Sequence, residues 1–167
     1  MDILGTFRAR RRRWMAQSAP AIAASAAKPG TRALVEGVAQ PLPNASPLAA
    51  PFTSERSVFY ETTKAGEYHH EEEREHSTAP FMVVSYDDSV LVVEPTVAVH
   101  EIELVDVLGV EDRRWRQARI APGDHVRVFG MVDETAAVTQ GAYRAEATTI
   151  PRIRGTTEEP VVIARGL

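Results

Sequence analysis

Cysteine is absent from this chain of 167 residues. That one absence removes disulfides, thiolate-bound metals, iron–sulfur clusters and thiol nucleophiles together, and it permits a reducing compartment. Long apolar runs are missing as well. Nothing approaches the roughly 20 residues that a bilayer-crossing helix requires, and the nearest candidate, Ala19 to Ala27, is alanine-rich and broken by Pro20 and Ser25. Its position after an arginine block imitates a secretory signal, but it lacks the leucine-rich centre of one. No GxSxG, P-loop or dinucleotide fingerprint occurs. The expectation from these absences is a cytoplasmic protein, attached at most to a membrane surface.

What is present is ordinary in amount and uneven in distribution. Hydrophobic residues make up 44% and charged residues 25%, which suits a soluble globular domain long enough to bury its own core. The net charge of -4 hides two parts: residues 1–32 carry seven basic side chains against Asp2 alone, +6, and the remainder carries 12 basic and 22 acidic, -10. A basic arm precedes an acidic body. Within the arm, Ile3, Leu4 and Phe7 fall on neighbouring helical positions, with Trp14 and Met15 two turns on and arginines between. That spacing predicts a basic amphipathic helix. Such a helix docks on an anionic membrane or on a protein partner through Phe7, Arg10, Arg11, Arg12, Arg13 and Trp14, or else packs on the acidic body of its own chain. Residues 16–30, rich in Ala and Ser and closing on Lys28-Pro29-Gly30, read as a linker. The chain therefore divides into an arm and linker, 1–29, and a body, 30–167.

Body residues read as strands. Phe81-Met82-Val83-Val84 and Val90-Leu91-Val92-Val93 are two apolar runs hinged on Asp87-Asp88-Ser89, whose short polar side chains suit a tight turn. The pair predicts a hairpin buried on most of both faces. Thr31–Ala39 predicts a first strand with Ala33, Val35 and, after an irregularity or bulge at Gly37, Val38 in the core. A proline-rich loop (Pro41, Pro43, Pro47, Pro51) follows, then a strand over Arg56–Thr62 and a long polar strand or arm through Glu67–His76. A short strand at Val97–Ile102 comes next. Residues 109–119 suggest one or two helical turns around Trp115. Pro122-Gly123 then turns the chain into an alternating strand, Val126–Gly130, and further strands are expected over 135–139, 143–150 and 160–164. The fold class is thus all-β and mainly antiparallel, a small OB-like barrel or sandwich with an N-terminal helical arm.

This order of segments resembles the GIDE domain, the β-rich module of mitochondrial E3 ubiquitin ligases and of prokaryotic relatives. The pieces that carry the resemblance are Thr31–Gly37, the loop Ser46–Pro51, Ser57-Val58-Phe59-Tyr60-Glu61, Pro80–Val84, Asp87–Val92, Pro122-Gly123-Asp124 with Val126–Gly130, and Pro160–Ile163. Departures are specific. Family members commonly carry Cys-Val-Tyr-Tyr at Ser57–Tyr60 and a glycine in the hairpin turn, where this chain has Ser89. They commonly have flanking membrane helices. The RING domain of the eukaryotic ligases needs cysteine ligands for zinc, so ligase activity does not carry over. The resemblance implies a protein-interaction or scaffold role, with no catalytic residue and no cofactor.

The residues that could carry other chemistry have structural explanations beside them. His69, His70 and His76 with Glu71–Glu73 and Glu75 form the one metal-like cluster, and strand alternation would put His70, Glu72 and His76 on one face. A solvated charged strand is the default reading of it. Asp87 and Asp88 fit turn chemistry better than acid–base catalysis. His100-Glu101 and Asp124-His125 are neighbours in sequence that a strand points apart. Nucleic-acid binding, the usual analogy for an OB-like barrel, is opposed by the acidic body, with Arg113–Arg119 around Trp115 the local exception.

Overall fold

The computed structural model describes residues 18–43, 45–50, 55–64, 73–107, 115–135 and 150–166. The strands among them are β1 (Arg32–Pro41), β2 (Leu48–Ala49), β3 (Arg56–Ser57), β4 (Phe59–Lys64), β5 (Glu73–Thr78), β6 (Phe81–Val84), β7 (Val90–Glu94), β8 (Ala98–His100), β9 (Val105–Val107), β10 (Trp115–Ile120), β11 (His125–Thr135), β12 (Ile150–Arg154) and β13 (Val161–Arg165). Sheet order β1-β6-β7-β12-β11, with β11 pairing back on β1, closes a five-stranded barrel. Round that barrel the strands run first, second, third, fifth, fourth in chain order, and the third and fifth, β7 and β12, pair in parallel. The all-β, OB-like reading therefore holds.

The hairpin β6–β7 forms as its composition predicts, with Phe81 opposite Val93 and Val84 opposite Val90. Phe81, Val83, Leu91 and Val93 are fully buried, each burial being worth about 1.5–3 kcal/mol. Met82 and Val84 are half-buried, so β6 alternates where β7 is buried almost throughout. In the turn Asp88 takes φ 60, a left-handed conformation that Asp tolerates better than most non-glycine residues.

Strand β1 corrects one expectation. Its ladder with β11 runs from Arg32 opposite Met131 to Val38 opposite His125 without slipping at Gly37. There is no bulge on that ladder, so the inward phase set by Ala33 and Val35 continues to Ala39, and Val38 turns outward and is half-buried. Gly37 is small for another reason: a Cβ there would collide with the carbonyl oxygen of Val84.

A second sheet, β5-β4-β10-β9, inserts between barrel strands. It shares the barrel's core through Val58, Phe59, Ala118 and Ile120. Strand β10 overturns the helix expected around Trp115: Trp115–Ile120 pairs with β4 on one side and β9 on the other. Arg116 and Arg119 suggest a solvated helix, but the alternation that puts Ala118 and Ile120 into the core is strand spacing.

The stretch read as a linker is also packed from Ile22 onward. Ile22 bridges Val35 in parallel, a short 3-10 turn spans Ala24–Ala26, and Ala24 and Ala27 join the core. Small side chains let this segment lie close on the hairpin. The arm 1–15, with its predicted helix, lies outside the described residues. No described helix is long and apolar enough to cross a membrane.

Candidate interaction surfaces

Strand β8 stands at the end of its sheet and pairs in parallel with β13 alone among the described residues. Val161 N–H donates to Val97 O at 3.0 Å and Glu101 N–H to Ile163 O at 2.8 Å. Alternate residues of a parallel strand turn toward the same neighbour, so Val97, Val99 and Glu101 face β13 while Ala98 and His100 aim their backbone groups outward. Beyond His100 the chain crosses to β9, the edge of the second sheet, where Val105 is 61% exposed. Residues 98–107 thus link two sheet edges. Between them lies a cleft of about 660 Å3 lined by Glu61, His100, Glu101, Ile102, Glu103 and Leu104 among others.

His100 is held on three sides. Its Nδ1 accepts from the Ile102 N–H at 3.3 Å, and its Nε2 lies 3.1 Å from Glu61 Oε2. An acceptor Nδ1 puts the proton of the neutral ring on Nε2, which donates to Glu61. Its ring also packs on Phe59 at a centroid distance of 5.0 Å, tilted by 58°. Both nitrogens are engaged inside the fold: Nε2 carries the proton that bonds Glu61, and the Nδ1 lone pair is taken up by the Ile102 N–H. Sequence neighbours gave no sign of this pair: the residue next to His100 is Glu101, whereas the partner that bonds its ring is Glu61, brought from β4.

The paired aspartates of the hairpin turn serve the fold. Asp87 Oδ2 accepts from Ser25 Oγ at 2.6 Å, and Asp87 Oδ1 accepts from Ser89 N–H at 3.1 Å and from the Ser89 hydroxyl. Ser89 Oγ in turn accepts from Ser25 N–H at 2.9 Å, and buried Ser85 Oγ accepts from Ala24 N–H at 2.9 Å. Hydroxyls of Ser25, then Ser89, hold the Asp87 carboxyl below its ordinary value. The turn is a clasp on the Ala24–Ala26 segment, and a glycine at position 89 would lack the hydroxyl it uses.

Of the metal candidates, His70 and Glu72 lie outside the described residues, while His76 occupies the register position opposite Glu61. No group of three or more His, Asp or Glu is placed to hold a metal among the described residues. Phe7, Arg10, Arg11, Arg12, Arg13 and Trp14 also lie outside them. Asp124 and His125 form no dyad: Asp124 Oδ2 accepts from Ala121 N–H at 2.9 Å and closes the turn.

On the barrel wall, β12 presents two arginines beside β7. Arg152 bonds Asp133 at 2.8 Å and Glu94 at 3.3 Å, and Arg154 bonds Glu94 at 2.8 Å. Asp133 and Glu94 raise the Arg152 guanidinium further above its ordinary value, against a smaller opposing effect of burial. No family model matches the chain, and neither the curated proteins nor the solved structures contain a significant match to it.

Proposed function

We propose that the chain is a non-catalytic protein-interaction or scaffold module of GIDE-like type that captures an extended, basic segment of a partner along β8. The observation that carries this reading is the outward-facing backbone of Ala98 and His100 beside a cleft bearing Glu61, Glu101 and Glu103. Main-chain bonds to an added strand supply affinity, and alternate side chains of that strand reach the flanking cleft. Carboxylates there select Lys or Arg at those alternate positions.

Two further features support a binding role over catalysis or nucleic-acid recognition. His100 has both ring nitrogens committed within the fold. The arginines of β12 are paired with carboxylates, which withdraws them from the phosphate contacts that nucleic-acid binding requires.

Proline substitution at Ala98 provides the test. Ala98→Pro deletes an outward N–H and spares the β13 ladder, the placement at which a strand tolerates proline. Titration with a synthetic peptide of alternating Lys and Val, followed by amide chemical shifts, should move Ala98–Leu104 in the parent protein and not in the variant. Equal binding by the two proteins removes β8 as the docking edge.

A further inference from the structure

The hairpin turn that clasps Ala24 and Ser25 also walls a second groove, of about 490 Å3, in which Ile22, Val38, Val84 and Tyr86 supply apolar surface and Glu36 and Asp88 an acidic rim. The backbone of Gly37 lies in its floor between Glu36 and Val38. Tyr86 stands 87% exposed although the residue before it is buried and tied to Ala24. A ring left in water on a backbone so fixed presents a flat face ready for a cation or another ring.

The path of Ala19 to Ala21 points to what covers it. Arg127, paired with Glu36 at 3.4 Å, donates to the Ala19 carbonyl at 3.4 Å, and Ala21 itself lines the groove. Residues 18–21 therefore run beside the groove. Trp14 lies four positions earlier, a span of at most about 14 Å. Residues 1–17 hold five arginines against one aspartate, and the lining they meet carries Asp88, with Glu36 paired to Arg127 and His125 beside it.

We propose that this groove receives the chain's own Arg10–Trp14 segment, Trp14 against Ile22, Val38 and Val84, and an arginine over Tyr86 and beside Asp88. Tethering in the same chain raises the local concentration of the segment to about the millimolar range, so modest contacts suffice. The inference is independent of the β8 reading, because the two sites share no residue.

Intrinsic fluorescence of the full chain carrying Trp115→Phe tests it, since Trp14 is then the sole indole. Docking predicts a blue-shifted emission and weaker acrylamide quenching than in the isolated peptide 7–17. Both effects should be unchanged by dilution and lost in Tyr86→Ser, with a partial loss in Asp88→Asn. Emission at the free-peptide position, or a shift indifferent to Tyr86→Ser, overturns the proposal. So does a shift that disappears on dilution, which assigns the groove to a second copy, or one that appears only with phosphatidylserine vesicles, which assigns the segment to a membrane. Should Trp115→Phe fail to fold, Trp14→Ala in the otherwise unaltered chain must move the amides of Ile22, Val38, Val84 and Tyr86, and their constancy overturns it equally.

Discussion

Ser25 donates its hydroxyl to Asp87 Oδ2 at 2.6 Å across 62 positions of sequence. The bond fastens a segment that precedes the first strand onto the turn between β6 and β7. Around it, Ser85 and Ser89 take up the backbone N–H groups of Ala24 and Ser25.

Because Ser85 is buried, Ser85→Ala strands the Ala24 N–H away from water and should cost about 1–3 kcal/mol in urea denaturation. Ser89→Ala acts at an exposed bond. It should leave the global midpoint nearly unchanged while speeding amide exchange at Ser25.

Acid should open the clasp late. The folded Asp87 carboxyl lies below its ordinary value because Ser25 and Ser89 bond its charged form. Its stabilising contribution is therefore complete above the unfolded value, about 3.9, and is lost as pH falls through the lower folded value. Protection of the Ser25 amide, its exchange rate relative to the intrinsic rate at each pH, should hold from neutrality down to about pH 4 and fall only below that. Asp87→Asn should remove this acid-dependent step and leave a lower protection that does not change with pH.

His100→Ala removes the donor to Glu61 and the ring against Phe59, and should destabilise by about 2–4 kcal/mol. Glu61→Gln keeps an acceptor for Nε2–H and should cost about 1 kcal/mol. Ring nitrogen chemical shifts of the parent protein at neutral pH should report the Nε2–H tautomer of His100; the Nδ1–H tautomer would contradict the geometry.

Gly37→Ala places a methyl against the Val84 carbonyl, which cannot withdraw because Val84 is laddered to Val38. A cost of about 1–3 kcal/mol in thermal or urea unfolding is expected, the usual range for overpacking a fitted site.

The barrel was legible wherever one strand's own residues decided its fate. Valine-rich β6 and β7 with a polar turn announce a hairpin, and His125–Val128 alternates as a half-buried strand should, until Phe129 is covered on the opposite face by Leu34 and Val162. Strand β10 was harder to read, since Trp-Arg-Gln-Ala-Arg-Ile buries Gln117 beside Ala118 and offers little contrast between its faces. The packing of the segment before β1 was hidden for a related reason: Ala23, Ala24 and Ala27 carry so little side chain that their burial depends on how closely the hairpin turn approaches. The His100–Glu61 pair and the position of β8 at the end of its sheet among the described residues depend on which strands become neighbours. No local pattern encodes that.

Strand β11 gathers β1, β12 and β13 about itself. Its earliest partner, β1, leaves the ribosome roughly ninety residues ahead of it, on the order of ten seconds at ordinary rates of synthesis. Until then the flank of β1 that includes Leu34 and Val35 has no ladder to complete, and an unpaired apolar strand is a template for other chains. The burden of keeping the nascent protein apart from its neighbours falls on that interval, and it ends only when the late strands arrive to close the wall.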